Sequence, residues 1–265
     1  MEYARRCCIV GGMKLSFVIP AYNEEAALPK CLESVMAEIS ANNLKLGEDI
    51  EVVVVNNAST DKTKEVAQKF HGVRVVDEPH KGMVRARKAG FDASAGELVA
   101  NIDADTLVPR GWLKKVLTEF DGDKHLVAMT GPYIYYDLNV WGRALVKMWY
   151  FPGWLLHIVA EPLGHAVMLQ GGNFVLRRSA WDGVGGFDPT IEFYGEDADV
   201  ARRIRKKGRV LWSWGLPMYT TARRLKAEGF LKTGWYYGLN IVATHITGRP
   251  YTDRYTDVRQ SQNII

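Results

Sequence analysis

The chain has 265 residues, 47% of them hydrophobic and 24% charged, with a net charge of +4 and a pI near 8.8. Such length and apolar content exclude general disorder and predict one large α/β domain or two small ones. The mild positive balance favours anionic partners such as phosphates or an acidic membrane surface, and the signatures of RNA and DNA binding are missing, which excludes nucleic acid as a partner. Cys7, Cys8 and Cys31 form no C-x-x-C pair. That argues against a zinc site or a disulfide framework and for a reduced, cytoplasmic setting.

Residues 1–12, MEYARRCCIVGG, are too short and weakly apolar for a signal peptide, and MKLSFVIPAYNEE from Met13 reads like a natural start. Residues 1–12 are therefore expected to lie outside the fold. LSFVIPAY predicts a strand ending near Pro20. From Glu24 to about Ser40 the apolar residues Leu28, Leu32, Val35, Met36 and Ile39 recur at helical spacing. IEVVVVNNAS is a β-branched run stopped by Asn56 and Asn57. Ser59 is placed to cap a helix running to Phe70, with Asp61 in its first turn. VRVV predicts a third strand, GMVRARKAGFDASAG a third helix stopped near Gly96, and LVANI a fourth strand.

After Pro109 the alternation loosens. HLVAMTGPYIYY, GGNFVLRR and RVLWSWGLPMYT read as strands, and GEDADVARRIRKKG as a helix whose acidic start and basic end suit its dipole. The apolar stretch Met148–Leu169 is interrupted by Pro152, Glu161 and Pro162. It predicts one or two short helices, buried or lying on a surface, and not a clean membrane span. Buried packing is the first expectation for the aromatic segment Trp141–Leu169; an acceptor groove, a dimer contact and a membrane-interface patch are the alternatives.

Unbroken apolar strands separated by helices predict a mostly parallel sheet covered on both faces, with ligands beyond the carboxyl ends of its strands. Polar clusters fall at those ends: Tyr22, Asn23 and Glu24; Asn56 and Asn57; and, in NIDADTLVP, Asp103 and Asp105. In extended backbone the two aspartates point the same way with Cα atoms roughly 6.5–7 Å apart. Two hard oxygen ligands so placed suit Mg²⁺ or Mn²⁺ holding phosphate oxygens. A cap by Asp105 and an ion pair at Asp103 would explain the same motif without a metal.

The segments FVIPAYNEE, VVVVNNASTDKT, KGMVRARKAGFDASAGELVANIDADT, GGNFVLRRSAWDGVGGFD and YGEDADVARRIRKKG occur in that order. Together they resemble the family 2 glycosyltransferases, which have the Rossmann-like GT-A fold, from about Met13 to about Leu225. The resemblance implies one domain over 13–265, with a nucleotide-sugar-binding half (13–125) and an acceptor-binding half (126–265). It implies transfer of a sugar from a nucleoside diphosphate donor, a UDP-sugar by default, to a sugar, glycan or lipid-linked acceptor, with inversion at the anomeric carbon. The family's nucleotide pocket maps onto Pro20, Ala21, Tyr22 and Glu24, and onto Asn56, where many members have an aspartate facing the base. Lys81, Arg85 and Arg87 are nucleotide-contact candidates. By the same resemblance Asp103 faces the ribose and metal waters, Asp105 binds Mn²⁺ or Mg²⁺, and Asp197 is the general base beside Glu196. Gly171, Gly172 and Asn173 lie near donor sugar and acceptor. Arg223 and Arg224, side by side in TTARRLKAEG, either reach the diphosphate from a loop or are surface charge. His245 is a weak candidate for a late metal ligand. A lipid-linked acceptor would bring the protein to the inner face of a membrane. Two rival classes remain: a sugar-phosphate nucleotidyltransferase, which needs a Gly-rich basic loop where this chain has PAYNEE, and a sugar-nucleotide-binding protein without turnover.

Overall fold

Strands that are apolar on both faces need helices on both sides, and the chain supplies them in alternation. The computed structural model describes residues 12–166, 168–252 and 258. The expectation for residues 1–12 therefore lies, except for Gly12, outside the described residues. β1 (Leu15–Ala21), α1 (Leu28–Ala41), β2 (Ile50–Asn57), α2 (Thr63–Gln68), β3 (Val73–Glu78), α3 (Met83–Ala93), β4 (Leu98–Ile102) and α4 (Trp112–Gly122) come first. β5 (Leu126–Thr130), β6 (Tyr133–Tyr135), α5 (Val140–Ala160), β7 (Asn173–Arg177), α6 (Arg178–Asp182) and α7 (Glu196–Ile204) follow. β8 (Arg209–Trp212), β9 (Met218–Thr220), α8 (Arg223–Glu228) and α9 (Phe230–Thr247) complete the described order.

Seven strands form one sheet in the order β3-β2-β1-β4-β7-β5-β8. β7 runs antiparallel to both neighbours, and the other pairings are parallel. Both halves of the chain thus contribute to a single α/β sheet. Side-chain alternation divides the core. Leu15, Phe17 and Ile19 of β1 pack with Leu28 and Leu32 of α1 and Leu113 and Val116 of α4. Val18 and Val99 face the other way, toward Phe91 of α3 and Val200 and Ile204 of α7. Full burial of each such side chain stabilises the fold by roughly 1.5–3 kcal/mol.

Polar groups lock the helices to their neighbours. Glu38 of α1 is buried and accepts from the Gly111 and Leu113 amides (2.9 and 3.1 Å), satisfying the start of α4. Asn57 donates to the carbonyls of Glu78 and His80 and accepts from the Gly82 amide, tying the β3–α3 loop to β2. Its polarity is structural.

Four expectations are corrected. α1 begins at Leu28, not Glu24, because the Glu24 and Glu25 amides bond to Thr63 and Asp61 across the gap between the first two loops. Ser59 caps no helix; its hydroxyl accepts from the Asn23 amide, and Asp61 holds the Thr63 amide instead. RVLWSWGLPMYT is two strands: β8 joins the main sheet, and β9 pairs with β6 in a separate ribbon. Finally, a single helix, α5, takes up the first part of the apolar stretch, but it is 21 residues long, not short, and starts ahead of Met148, at an Asn139 side chain that accepts from the Gly142 amide at 2.8 Å. Only Val146 and His157 of α5 are buried, so buried packing does not describe it. Among the described residues no helix is long and apolar enough to cross a membrane.

α3 reaches the sheet at Gly90, where a Cβ would collide with the side chains of Val18 and Val55. Gly90→Val should lower the unfolding free energy by about 1–3 kcal/mol, the usual cost of overpacking, read by chemical denaturation.

Candidate active site

β4 delivers its two aspartates through a turn closed by the Thr106 amide on the Asp103 carbonyl (3.1 Å). The backbone there is not extended, so strand alternation does not bring Asp103 and Asp105 together. The turn does, and both carboxylates line one cavity of about 450 Å³. β4 and β1 are paired in parallel, with Asn101 opposite Val18, and Ala21 of β1 lies opposite Asn56 of β2. The three polar clusters therefore stand along one edge of the sheet.

Arg87 is the buried centre of the site. It lies on the apolar stripe of α3 with Val84 and Phe91, only 2% exposed, and pairs with Glu196 of α7 and with Asp103 (3.3 Å). Tyr133 of β6 donates to the other oxygen of Asp103 at 3.0 Å. Burial, reinforced by the Asp103 charge, pushes the Tyr133 phenol well above its ordinary pKa, so it stays a donor. Gly172 passes between them: a Cβ there would overlap both the Asp103 carboxylate and the Tyr133 hydroxyl. Asn101 holds the same turn by donating to the Gly171 carbonyl at 2.7 Å.

Arg223, at the start of α8, closes the opposite side. One of its nitrogens lies 2.7 Å from Glu24 and 2.7 Å from Asp105, and Thr221 also donates to Asp105 at 2.6 Å. Burial opposes the guanidinium charge, but Asp105 and Glu24 together raise its pKa. The two aspartates of the motif are thus each matched by an arginine of the same chain, with the cavity open beside them.

Asp197 occupies the first turn of α7, half-buried on the cavity wall, and accepts from the Ala198 amide at 2.8 Å. Burial raises its pKa, against the opposing pull of Arg87 and of backbone N–H groups at Ala198 and Gly171. Asp199 is committed elsewhere, to Arg202 and Arg203 of its own helix (2.8 and 2.7 Å).

The cavity brings together Arg87, Asp103, Asp105, Gly171, Gly172, Glu196, Asp197, Arg223 and Arg224 from the sequence-predicted set. Others stand apart from its walls. Pro20 and Ala21 are ladder residues at the end of β1. The Tyr22 ring carries the Lys81 ammonium 4.0 Å from its centroid. Glu24 is buried and meets the site through Arg223. Asn56 donates to Asp77 at 2.9 Å, which leaves its Oδ1 as the acceptor. Arg85 lies on the exposed face of α3, and Arg87 takes the position inside. Asn173 is fully buried: it accepts from the Trp112 indole and donates to the Gly131 and Leu216 carbonyls, so it braces the fold. His245 places both ring nitrogens against carbonyl oxygens, of Ile241 and Ala166. Tyr133 and Thr221 were missing from the sequence reading. Arg87 was weighed there, and its signal was a charge on an otherwise apolar helical stripe.

Among the described residues no group of three or more His, Cys, Asp or Glu side chains could hold a metal. Asp103 and Asp105 share the cavity without forming an all-protein cage; the ion pair at Asp103 that explains the motif without a metal is present, Asp105 has one as well, and a cation there would draw its other ligands from diphosphate and water.

The model of glycosyl transferase family 2 matches residues 16–185, more than half of the chain, and the protein belongs to that family. Curated relatives include the glycosyltransferase AglE of Haloferax volcanii, 30% identical over 113 residues (41% of this chain, 36% of the relative). A dolichyl-phosphate beta-glucosyltransferase of Trichomonas vaginalis is 40% identical over 102 residues (34% of this chain, 30% of the relative). The match thus spans well under half the length of these relatives. Among solved structures, Staphylococcus aureus TarS 1-349 superposes with a TM-score of 0.63 at 17% identity, covering 91% of this chain and 67% of that one. Mycobacterium tuberculosis glucosyl-3-phosphoglycerate synthase, in complex with Mn²⁺, UDP and phosphoglyceric acid, superposes with a TM-score of 0.61 at 22% identity, covering 91% and 81%. The fold is therefore GT-A.

Removal of the shared guanidinium leaves two carboxylates without their cation. Arg87→Met should cost about 3–5 kcal/mol of stability in denaturant titration, the range for breaking a buried ion pair.

Proposed function

We propose that the protein is an inverting glycosyltransferase that moves a sugar from a nucleoside diphosphate donor, a UDP-sugar by default, to an acceptor hydroxyl. The observation that carries this reading is the convergence of Asp103, Asp105 and Asp197 on one cavity of a family 2 fold. Family neighbours crystallised with UDP or GDP-mannose and Mn²⁺ support the donor class.

The acceptor hydroxyl meets Asp197, which takes its proton as the oxygen attacks the anomeric carbon. The new C–O bond forms as the bond to the diphosphate breaks, and that electron pair leaves on the diphosphate. A raised pKa suits Asp197 to this role, because a stronger base still ionises at neutral pH. Asp103 and Asp105 are the residues that would hold a divalent cation, Mn²⁺ or Mg²⁺, which when bound supplies positive charge to the leaving diphosphate. Arg223 supports the same side, since its guanidinium already sits on Asp105 within reach of the cavity. Glu196 keeps Arg87 in place and is a positioning residue. Arg87 and Tyr133 fix the Asp103 carboxylate from two sides, limiting its rotation.

Asp197→Asn should leave nucleotide binding intact and lower transfer by about 10²–10⁴-fold, measured as nucleoside diphosphate released from a panel of sugar nucleotides. Its melting temperature should not fall at neutral pH. A carboxyl whose pKa the fold raises costs stability when ionised, so the neutral amide removes that cost. For the same reason the acid limb of the rate profile should lie above the ordinary aspartate value of about 3.9. Full transfer by the variant would reject Asp197 as the base, and binding without release by the wild type would favour a non-catalytic protein.

A thermal-shift series reads the metal reading separately. UDP with Mn²⁺ should stabilise the wild type more than UDP alone, by mass action, and Asp105→Asn should abolish that difference. An unchanged Mn²⁺ increment in the variant would move the cation site elsewhere.

A further inference from the structure

α5 and α9 are unusual surface helices, because their outward faces are apolar. On α5, Trp141, Leu145, Met148, Leu155 and Val159 recur at spacings of three, four and seven and form one exposed stripe, with Trp141 83% and Met148 69% exposed. On α9, Leu231, Trp235, Val242 and Ile246 form a second, at 81%, 65%, 56% and 77%. A surface helix ordinarily turns its polar side to water. Here the inward side of α5 is apolar as well, with Val146, Trp149 and Gly153 on the cavity wall.

Four residues belong to both surfaces. Trp149, Pro152, Leu156 and Val242 line the cavity and are also exposed, so they mark its rim. The two helices meet at that rim, where Trp149 packs edge-to-face on Phe230 and against Gly234. The rim is thus continuous with the outer stripes, and the cavity runs from it to Asp103, Asp105 and Asp197.

The charge on these helices has one sign. Neither α5 nor α9 contains an aspartate or glutamate, whereas Arg143, Lys147 and Lys232 are present, in a chain with 30 acidic residues. Tryptophans beside lysine and arginine suit the boundary between hydrocarbon and anionic headgroups. A second copy of the chain seated on this face would bring like charges together and cover the rim.

We infer that the α5–α9 face docks on an anionic lipid bilayer, lying in its interface without crossing it, and turns the cavity rim toward the lipid. The docking surface stands on exposure and charge alone. Its further consequence rests on the transferase reading: an acceptor anchored by a hydrocarbon tail enters along the rim with its hydroxyl toward Asp197.

The test uses the full chain and vesicles of phosphatidylcholine containing phosphatidylglycerol, with phosphatidylcholine alone as the comparison. The wild type should sediment with the anionic vesicles and show a blue-shifted tryptophan emission, and should bind the neutral ones more weakly. The double variant Met148→Glu, Trp235→Glu changes exposed residues outside the cavity wall. It should bind at least ten-fold more weakly, with melting temperature and nucleoside diphosphate release unchanged. Wild type left in the supernatant with both vesicles, or a double variant that binds as well as wild type, overturns the inference. So does a wild-type dimer that the substitutions convert to monomer, which would assign the face to a second copy. Vesicle binding is read without turnover, so a chain that docks but releases no nucleotide sinks the transferase reading alone.

Discussion

A guanidinium taken out of water is tolerated only beside carboxylates, and Arg87 has two of them from different parts of the chain. Glu196 comes from the first turn of α7 and Asp103 from the end of β4. The requirement to satisfy this one buried cation fixes where α7 starts relative to the sheet. Asp197, the next residue along, is thereby held on the cavity wall. The same requirement fixes the Asp103 carboxylate, which leaves room only for glycine at 172, in the segment just before β7. A packing demand made by α3 thus sets the geometry of three acidic groups.

The charges of the site are balanced unequally, and that inequality separates their roles. Asp103 is held by Arg87 and Tyr133, and Asp105 by Arg223 and Thr221. Each is thereby fixed in position by a cationic and a hydroxyl partner. Asp197 stands against burial with weaker compensation, and its proton affinity rises. In the proposed reaction, carboxylates of the same type are anchors or a base according to what surrounds them. The apolar rim built by α5 and α9 completes the arrangement by keeping the far end of the same cavity greasy.

Much of this was legible in the sequence, because continuous runs such as IEVVVVNN and LVANI permit little besides buried strands. The strand-end polarity at Asp103 and Asp105 and the GEDAD start of α7 pointed to residues that line one cavity. What failed did so for physical reasons. Asp103 and Asp105 converge through a tight turn, and spacing alone does not distinguish a turn from extended backbone. Ser59 was a good local cap but found a better use bridging two loops. Asn173 looked like a site residue, yet a buried amide with three partners braces the interior. Arg85 and Arg87 are two apart on a helix and face different ways, so only the register of Val84 and Phe91 separates the solvent cation from the central one. The exposure of α5 was unreadable because an apolar helix carries no mark of whether protein, lipid or water covers it.

The contact between Glu24 and Arg223 spans 199 positions of sequence. During synthesis at about 5–20 residues per second, Glu24 and the first-strand loop emerge some tens of seconds before the guanidinium that neutralises them. Until α8 has emerged, the Glu24 and Asp105 carboxylates lack the guanidinium that joins them in the folded chain.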